Sequence, residues 1–581
     1  MAFGKLLRAV AAPTLVSAPL LFMIGLPLAM IVAASFWTGK QGDATFTLEA
    51  YRQLFATSWI WETVYNTVGV AVASTAIAFL IGTPQAWLIA RVDIPWRGAL
   101  RFLCISPLFL SPLLSSVAWD LMGSKPTGVI RFLTGGLFQP EFNLRNFWGI
   151  SLLMGAYFSS YVFLYLWAAF RNVDPAIEEA ASIAGLGPFS TFLRLTVPTI
   201  LPAIAFVGVL ILVLAMGIFA IPAVLGWPEG FFVLSTRIFF LLSVPPVNWG
   251  MAGAMTVVFM PLILGGIFLQ RRLVKKGDFT LVSGKTARDI RIKIGAWRWA
   301  GAAFIVLYWF LVAALPTVVI GVVSLTAYSG AYGSLGLTQY YRLLDYELFH
   351  RAVKNSLITS ILGAFIAVAI AVTLAYIVYR LKPRWATFIE YLISIPLGVP
   401  GVVIGAALLW TWLSLPLSYL VYGSLTIIII ACITQFLTTG VRAISAVLVQ
   451  IGRDVEESAW VSGATRFYAI RRILMPLMLP GLQSAWVLMF ILFFRELSAV
   501  VLLWSSRTIT LPVLTFEIWR EGSYPRLAAV GIVETALIAS VVFIAVIAGS
   551  VIQKIARFAV VRRSSSTAVA APGAEPALPK R

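Results

Sequence analysis

Long apolar stretches recur along the chain, and each is continuous rather than alternating between apolar and polar residues. A helix needs about 20 mostly apolar residues to cross a bilayer, whereas the strands of a transmembrane barrel alternate with a period of two. The pattern predicts an all-α polytopic membrane protein with about 12 transmembrane helices. The predicted spans are 13–37, 63–90, 98–122, 147–170, 198–225, 247–270, 299–325, 353–380, 386–413, 421–446, 477–504 and 525–553.

Composition and charge support a lipid environment. Of 581 residues, 60% are hydrophobic and 11% are charged, and the net charge is +20. Lys and Arg cluster in connections that twelve spans place on one side, which predicts that this side and both termini are cytoplasmic. Lys125, Arg131 and Arg145 fall on the outer side. We therefore expect lipid rather than nucleic acid as the partner of these charges, and a multi-pass membrane protein.

An internal repeat divides the chain. Asn66 aligns with Asn355 at an offset of 289 residues, whereas Gly185 aligns with Gly463 at an offset of 278. The 11 extra residues of the first half are expected in the loop near 123–146. Six spans in each half predict two parallel repeats with the same orientation. The predicted divisions are a first repeat at 1–270, a basic cytoplasmic linker at 271–298, a second repeat at 299–556 and a disordered cytoplasmic tail at 557–581.

Two connections contain matched helix–glycine–helix patterns. The first, near 174–198, reads DPAIEEAASIAGLGPFSTFLRLTVP, and the second, near 452–476, contains DVEESAWVSGATRFYAIRRILMP. Small residues recur at helical spacing in each and predict a narrow face that another surface can approach closely. Gly185 and Gly463 are expected to end the two helices, and a proline follows each loop.

The first turns of these two helices carry capping signals. Asp174 is predicted to cap the first helix, with Pro175 in its first turn. In the second helix, Asp454 and Glu457 have the spacing of a capping box.

The loops resemble the EAA motif of binding-protein-dependent ABC importer permeases. That motif is Glu-Ala-Ala, three residues, Gly, nine residues and an aliphatic pair ending in Pro, and both loops fit its spacing. The matching residues are Glu179, Ala180, Ala181, Gly185 and Pro198 in the first loop and Glu457, Ser458, Ala459, Gly463 and Pro476 in the second, where Ser458 replaces an Ala. The resemblance covers about residues 10–560. It implies the type I ABC importer permease fold and a location in the bacterial inner (plasma) membrane.

The resemblance also implies partners and a mechanism. Each loop would be a coupling helix seated in a groove of a cytoplasmic ABC ATPase, of which two copies bind ATP and Mg. An external solute-binding protein, periplasmic or extracellular, would deliver the cargo. The residues that this assigns to ATPase coupling are Glu178, Glu179, Ala180, Ala181, Gly185, Pro198, Glu456, Glu457, Ala459, Gly463 and Pro476.

Chemistry on a substrate is not expected of this chain. Ser283-Gly284-Lys285-Thr286 lacks the first Gly of a phosphate-binding loop and falls in a short linker, so ATP hydrolysis is expected from separate subunits. Two isolated cysteines and one histidine give no metal-ligating cluster. We expect neither catalytic residues nor a cofactor in the chain itself.

Three ionisable residues lie within predicted spans of the second half, namely Arg495, Glu496 and Glu534, and their equivalents in the first half are uncharged. Charges at this depth are candidates for a translocation route or gate. The alternative, which we slightly favour, is a buried ion pair that positions neighbouring helices.

The fused layout, with FRELSAVVLL followed by LPVLTFEIWREG, most resembles the iron(III)-type permeases. The expected function is therefore that of a membrane permease for a solute delivered by a binding protein, with iron(III) as the expected cargo. Similar permeases for thiamine, phosphonate or another small solute remain alternatives, as do an ion-coupled secondary transporter and a membrane-embedded enzyme.

Overall fold

The computed structural model describes most of the chain, namely residues 16–38, 45–123, 128–137, 142–174, 176, 180–181, 183–276, 292–416 and 418–569. These residues are almost entirely helical. The strands among them are β1 (Trp37–Thr38) and β2 (Thr45–Phe46), which pair antiparallel. The Ser283–Thr286 segment and most of the predicted linker lie outside the described residues.

The helices of the first half include a long second span and several short or bent segments. They are α1 (Leu26–Ala34), α2 (Glu49–Ala56), α3 (Ser58–Arg91), α4 (Arg97–Ile105), α5 (Pro112–Gly123), α6 (Val129–Leu133), α7 (Phe147–Arg171), α8 (Pro188–Thr191), α9 (Val197–Gly217), α10 (Ala220–Gly226), α11 (Leu234–Ser243) and α12 (Trp249–Lys276). Short 3₁₀ or π turns extend some of them, at Leu21–Gly25, Ser106–Phe109, Phe192–Thr196 and Trp227–Glu229.

The second half repeats most of these elements. Its helices are α13 (Trp297–Trp309), α14 (Leu315–Ser324), α15 (Thr338–Leu344), α16 (Glu347–Ala375), α17 (Ala386–Ser394), α18 (Gly401–Ser414), α19 (Ser418–Val421), α20 (Leu425–Gln450), α21 (Asp454–Val461), α22 (Arg466–Ala469), α23 (Met475–Phe494), α24 (Leu511–Arg520) and α25 (Tyr524–Val569). Its 3₁₀ and π turns are Phe310–Ala314, Tyr376–Leu381, Ile395–Gly398 and Ile470–Leu474.

Nine helices of the described residues are long and apolar enough to cross a membrane, and four bent pairs raise this number to as many as 13. Each predicted span corresponds to one of these helices or pairs. The additional pair, Ala220–Glu229 with Leu234–Ser243, bends by 71° and follows the fifth span. Sequence patterning missed it because its buried residues simply continue the apolar run.

The predicted fifth spans were too long. The helix of the first half ends at Gly217 rather than 225, and that of the second half ends at Phe494 rather than 504. Hydropathy did not reveal these ends, since the segments that follow are also buried inside the protein.

Prolines explain the bend in the third span of each half. Arg97–Phe109 meets Pro112–Gly123 at 91°, and Ala386–Gly398 meets Gly401–Ser414 at 110°. A 3₁₀ turn with proline near its start precedes each bend. Proline removes a backbone donor and favours such breaks.

The two halves interlock reciprocally. Helix α1 of the first half packs against α18 of the second, and α14 of the second half packs against α5 of the first. Each first span therefore contacts the bent third span of the opposite repeat. This exchange makes the core of the protein common to both halves.

Equivalent hydrogen bonds recur in the two repeats. Ser35 Oγ lies 2.7 Å from Tyr51 Oη, and Ser324 Oγ lies 2.8 Å from Tyr340 Oη. Both members of this second pair are offset by 289 residues from the first. The repeat seen in the sequence is thus also a repeat of side-chain contacts.

A second repeated contact explains the aligned asparagines. Asn66 Nδ2 donates to the Phe232 carbonyl at 3.2 Å, and Asn355 Nδ2 donates to the Ile509 carbonyl at 2.9 Å. Each asparagine therefore ties the start of the second span to the segment that follows the fifth span.

Arg145, an exception to the charge pattern, is paired. Its Nε lies 2.7 Å from Asp120 Oδ1, and its Nη1 lies 3.7 Å from Glu229 Oε1. Two carboxylates thus offset this charge. Arg131 is exposed, and Lys125 lies outside the described residues.

The predicted tail begins too early. Helix α25 continues to Val569, so residues 557–569 are helical. Proline first occurs in this region at Pro572, and the intervening Ala and Arg residues are favourable helix formers. The remaining divisions of the chain stay a prediction.

Candidate coupling loops and translocation cavity

The second loop forms a helix, a glycine break and a second helix, as predicted. Helix α21 ends at Val461, and Gly463 adopts a positive φ of 83°. The Ala464 N–H donates to the Ala459 carbonyl at 2.9 Å, which is the closing bond of a Schellman motif. A residue with a Cβ would be strained at this position.

The predicted capping box does not form. Arg453 occupies the N-cap position of α21, and its carbonyl accepts from the N–H groups of Glu456 and Glu457. Asp454 therefore lies one residue inside the helix, where its side chain is too late to cap. Its charge still lies in the first turn, where the helix dipole favours acidic residues.

The described part of the first loop has the same ending. Gly185 has a φ of 80°, and the Leu186 N–H donates to the Ala181 carbonyl at 3.0 Å. Asp174 Oδ1 accepts from the Ala176 N–H at 3.0 Å, as its predicted capping role requires. Glu178 and Glu179 lie outside the described residues, so their roles stay predictions.

The prolines that follow the loops occupy the first turns of the helices that form the fifth spans. Pro198 and Pro476 each lie at the start of a helix that a π turn joins to the short helix before it. The wider turn accommodates the missing N–H of proline. The resulting segments differ, since Phe189–Thr199 and Leu201–Gly217 meet at 73° whereas Arg466–Phe494 forms one span.

The small face of the second loop is divided between the protein and solvent. Ala459 is buried, whereas Ser458 and Ser462 are exposed. Glu456 is 4% exposed and turns inward, whereas the adjacent Glu457 is exposed. Burial thus separates two acidic residues that the sequence alone presented as equivalent.

Exposed apolar residues occur at equivalent positions in both loops. Ile183 is 89% exposed and Val461 90%, and Phe189 is 70% exposed and Phe467 71%. The members of each pair are 278 residues apart. Apolar groups exposed at the same place in two repeats indicate a binding surface. The shared position of these pairs in the alignment was the signal that sequence reasoning missed.

A cavity of about 160 Å³ lies between the two halves. Its walls come from both bent third spans, both fourth spans and the ends of both fifth spans. Tyr157 and Gln435, which are equivalent residues of the two repeats, both line it. The cavity therefore lies where the pseudo-symmetric halves meet. Sequence reasoning missed these polar residues because single uncharged groups are common in apolar helices.

Arg495 joins the two halves at this cavity. Its Nη1 donates to the Leu108 carbonyl, and its Nη2 donates to Tyr157 Oη at 2.5 Å. Both acceptors belong to the first half, whereas Arg495 follows the fifth span of the second.

The structure places two of the three candidate pathway charges at the cavity and the third between two neighbouring helices. Arg495 and Glu496 line the cavity, and Glu496 Oε1 accepts from the Ala499 N–H at 2.7 Å. Glu534 is 1% exposed and lies 3.5 Å from Thr515 Oγ1, between α24 and α25. Neither carboxylate is among the ion-pair partners of Arg495 within the part of the chain described here. The choice between a gate and an ion pair therefore stays a prediction for these residues.

Family comparison covers both repeats. Residues 99–277 and 367–563 match the family described as "Binding-protein-dependent transport system inner membrane component". Both matched segments contain one EAA-like loop.

Several curated proteins are similar over most of the chain. A putative ferric transport system permease protein FbpB 1 of Haemophilus influenzae is 24% identical over 84% of this chain and 76% of its own length. The ferric transport system permease protein FbpB of Actinobacillus pleuropneumoniae is 24% identical over 87% of this chain and 73% of its own length. The spermidine/putrescine transport system permease protein PotB of Escherichia coli is 25% identical over 44% of this chain and 95% of its own.

Among solved structures, a bacterial ABC transporter involved in the import of the acidic polysaccharide alginate matches 44% of this chain and 95% of its own. The sequence identity is 20% and the TM-score is 0.38.

Proposed function

Because the chain belongs to the family of binding-protein-dependent transport system inner membrane components, and is thus the permease of an ABC importer, we propose that it forms the passage for iron(III) delivered by an external binding protein. The proposal rests on the ferric permeases that are similar across both halves, whereas the polyamine permease PotB corresponds to only 44% of the chain. Thiamine and phosphonate remain the alternative cargoes.

Uptake by the reconstituted importer tests the cargo. The chain would be assembled in proteoliposomes with its ATPase and its binding protein, and ATP-dependent accumulation of iron(III), thiamine and phosphonate would be compared. We expect iron(III) alone to accumulate. Accumulation of another solute without iron(III) would refute the cargo assignment but leave the permease function intact.

Each loop provides a binding surface for a cytoplasmic ATPase subunit. We call these surfaces, around Ile183 and Val461, the ATPase sockets. In this proposal, Ile183 and Phe189 of the first loop and Val461 and Phe467 of the second insert into the ATPase subunits. Their exposure and their equivalence in the repeats support this arrangement. Glu179 and Glu457 lie beside these apolar contacts in sequence and supply charge at the same surface. ATP and Mg bind to the partner, and both termini of the permease lie on its side of the membrane.

Thiol labelling tests this surface directly. Both native cysteines, Cys104 and Cys432, are buried, so a cysteine introduced by Ile183→Cys or Val461→Cys is the accessible one. We expect ATPase binding to protect both introduced thiols from a soluble maleimide. Leu137→Cys, at a residue that is 92% exposed in a different loop, is the control and should stay reactive. Unprotected thiols at both loops in an assembled complex would contradict the socket assignment.

The cavity between the halves is the proposed passage. Its lining by equivalent residues of both halves and by Arg495 and Glu496 supports this assignment. Since Arg495 bonds across the interface between the halves, separation of the halves during transport must break or replace these bonds. In this proposal, Arg495 closes the passage, Glu496 faces it and Glu534 stabilises the surrounding helices.

A further inference from the structure

Glu456 is the inward-facing acidic residue of the second loop. The side chains of Glu456 and Arg380 are 5% and 9% exposed, and Glu456 Oε1 lies 3.0 Å from Arg380 Nε. Tyr376 Oη donates to the second carboxylate oxygen, Oε2, at 3.1 Å. The carboxylate therefore contacts a positive charge and a hydroxyl group of the same π turn. It points away from the exposed surface that carries Glu457 and Val461.

Arg380 connects this carboxylate to a further element. Its Nη2 donates to the carbonyls of Leu448 and Ile451, at 3.2 and 2.5 Å. These carbonyls belong to the end of α20 and to the residue that follows it. One guanidinium thus links the second span, the fourth span and the coupling helix of the second half.

Arg453, the residue before α21, also bonds to the π turn that contains Arg380. Its Nη2 donates to the carbonyls of Arg380 and Tyr379, at 3.2 and 3.5 Å. The residue before α21 is thereby bound to the end of the π turn that follows α16. We call Tyr376, Arg380, Arg453 and Glu456 the loop clamp.

By residue type the first half retains the arginine and the glutamate of this clamp, as Arg91 and Glu178, and Glu178 lies outside the described residues. Arg91, equivalent to Arg380, donates through Nη2 to the Val173 carbonyl at 3.2 Å, and Val173 is equivalent to Ile451. The arginine-to-loop bond is therefore a property of both repeats.

Two other elements of the clamp are absent from the first half by residue type. Trp87 replaces Tyr376, and Pro175 replaces Arg453. The Trp87 ring lies 5.1 Å from that of Phe192, and its Nε1 has no hydrogen-bond partner in the described structure. Proline has no side-chain donor. The phenol and the second guanidinium are thus particular to the second loop.

We propose that Glu456 is a positioning residue that fastens the second coupling helix to the second and fourth spans, so that the second ATPase socket transmits motion more rigidly than the first. This inference rests on the proposed coupling function. A buried charge pair with added hydrogen bonds is costly to open once one partner moves. Movement of α21 therefore also moves α16 and α20. It moves the α22–α23 segment as well, because that segment follows α21 directly in the chain.

The test compares Glu456→Gln with wild type in the complete importer, reconstituted with its ATPase and binding protein. Glutamine keeps the size of the side chain and removes the charge. We expect the ATPase to co-purify normally, because Glu456 does not face it. Cargo transported per ATP hydrolysed, measured at equal amounts of assembled complex, should fall by about tenfold, within the usual range of coupling between sites.

Tyr376→Phe provides a milder variant that retains the ring and its packing. Loss of one hydrogen bond should lower the same ratio by about threefold. Trp87→Phe is the matched control at the equivalent position of the first half. Since Trp87 donates no hydrogen bond to the described residues, we expect it to keep the wild-type ratio.

Three outcomes would overturn the proposal. Loss of ATPase co-purification in Glu456→Gln would make Glu456 a docking residue. If Glu456→Gln cannot be produced, the test depends on Tyr376→Phe. An unchanged amount of cargo transported per ATP in Tyr376→Phe would show that the clamp does not contribute to coupling. If Tyr376→Phe and Trp87→Phe lower the cargo transported per ATP equally, the second socket does not transmit motion more rigidly than the first. Failure of the proposed function is distinct, since the wild-type complex itself would then show no ATP-dependent transport.

Discussion

Single charged residues behave differently according to the direction in which each side chain points. Glu456 and Glu457 are neighbours, yet one is buried against Arg380 and the other faces solvent. At the cavity, Arg495 bonds to groups of the opposite half rather than to Glu496 or Glu534. Residue roles in this protein therefore depend on contacts made across helices.

Charge reversal at the exposed glutamates tests the sockets at this scale. Glu457→Lys should weaken ATPase association and lower transport, because a positive charge replaces a negative one at the proposed contact surface. Glu179→Lys should act in the same way at the first loop. Co-purification of the ATPase and proteoliposome uptake measure the two effects. Normal values of both in both variants would refute the coupling assignment.

The two intramembrane glutamates should respond unequally. Glu496→Gln removes a charge that lines the cavity, so transport should fall by about tenfold or more at normal protein level. Glu534→Gln lies outside the cavity lining and should affect protein level or thermal stability more than the transport rate of the assembled complex. Uptake by quantified complexes and a melting curve separate these effects. Unchanged uptake in Glu496→Gln would exclude that residue from the passage.

At the scale of elements, both coupling loops share one backbone design. Gly185 and Gly463 adopt positive φ angles, no atom lies within 4 Å of a Cβ built at either position, and equivalent i to i−5 bonds close the helices. The glycine is thus required by backbone conformation rather than by crowding. The π turns before Pro198 and Pro476 are likewise common to both repeats, although only the first segment bends sharply.

Gly463→Ala tests this backbone requirement. Alanine in the left-handed region is strained by about 1–2 kcal/mol, so the end of α21 should reorganise and ATPase binding should weaken. Gly463→Asn should recover most of the binding, since Asn tolerates this conformation. Gly321→Ala is the control, because that glycine also has open space around it but no positive φ. ATPase affinity would be measured on purified complexes; equal affinity in all three variants would contradict the argument.

At the scale of the whole molecule, reciprocal packing makes the fused halves one permease. The first span of each half packs on the third span of the other, and the cavity forms between them. The polypeptide link therefore adds to an interface that non-covalent packing already forms.

Cutting the link should leave the protein assembled. A protease site inserted within residues 277–291 would allow cleavage after folding, in detergent or in proteoliposomes. We expect the two fragments to co-purify and to retain ATP-dependent transport, because the interlocked spans do not depend on the linker. A complex cut under the same conditions but disrupted with a denaturing detergent controls for cleavage. Separation of the fragments under mild conditions would contradict reciprocal packing as the source of cohesion.

The sequence by itself determined the membrane class, the two repeats, the glycine breaks and the positions of the two loops. These features depend on composition and on local backbone preferences, which are written into short stretches of residues. The alignment of Arg91 with Arg380 and of Asn66 with Asn355 also came from sequence, and the structure shows that each pair makes equivalent bonds.

Only the tertiary structure decided which side of each element faces which neighbour. It ended the fifth spans at Gly217 and Phe494, buried Glu456 while exposing Glu457, and directed Arg495 to Tyr157. Hydropathy cannot distinguish an apolar residue that faces lipid from one that faces protein, because both environments favour the same side chains. Contacts between residues far apart in the chain depend instead on how the interlocked halves pack.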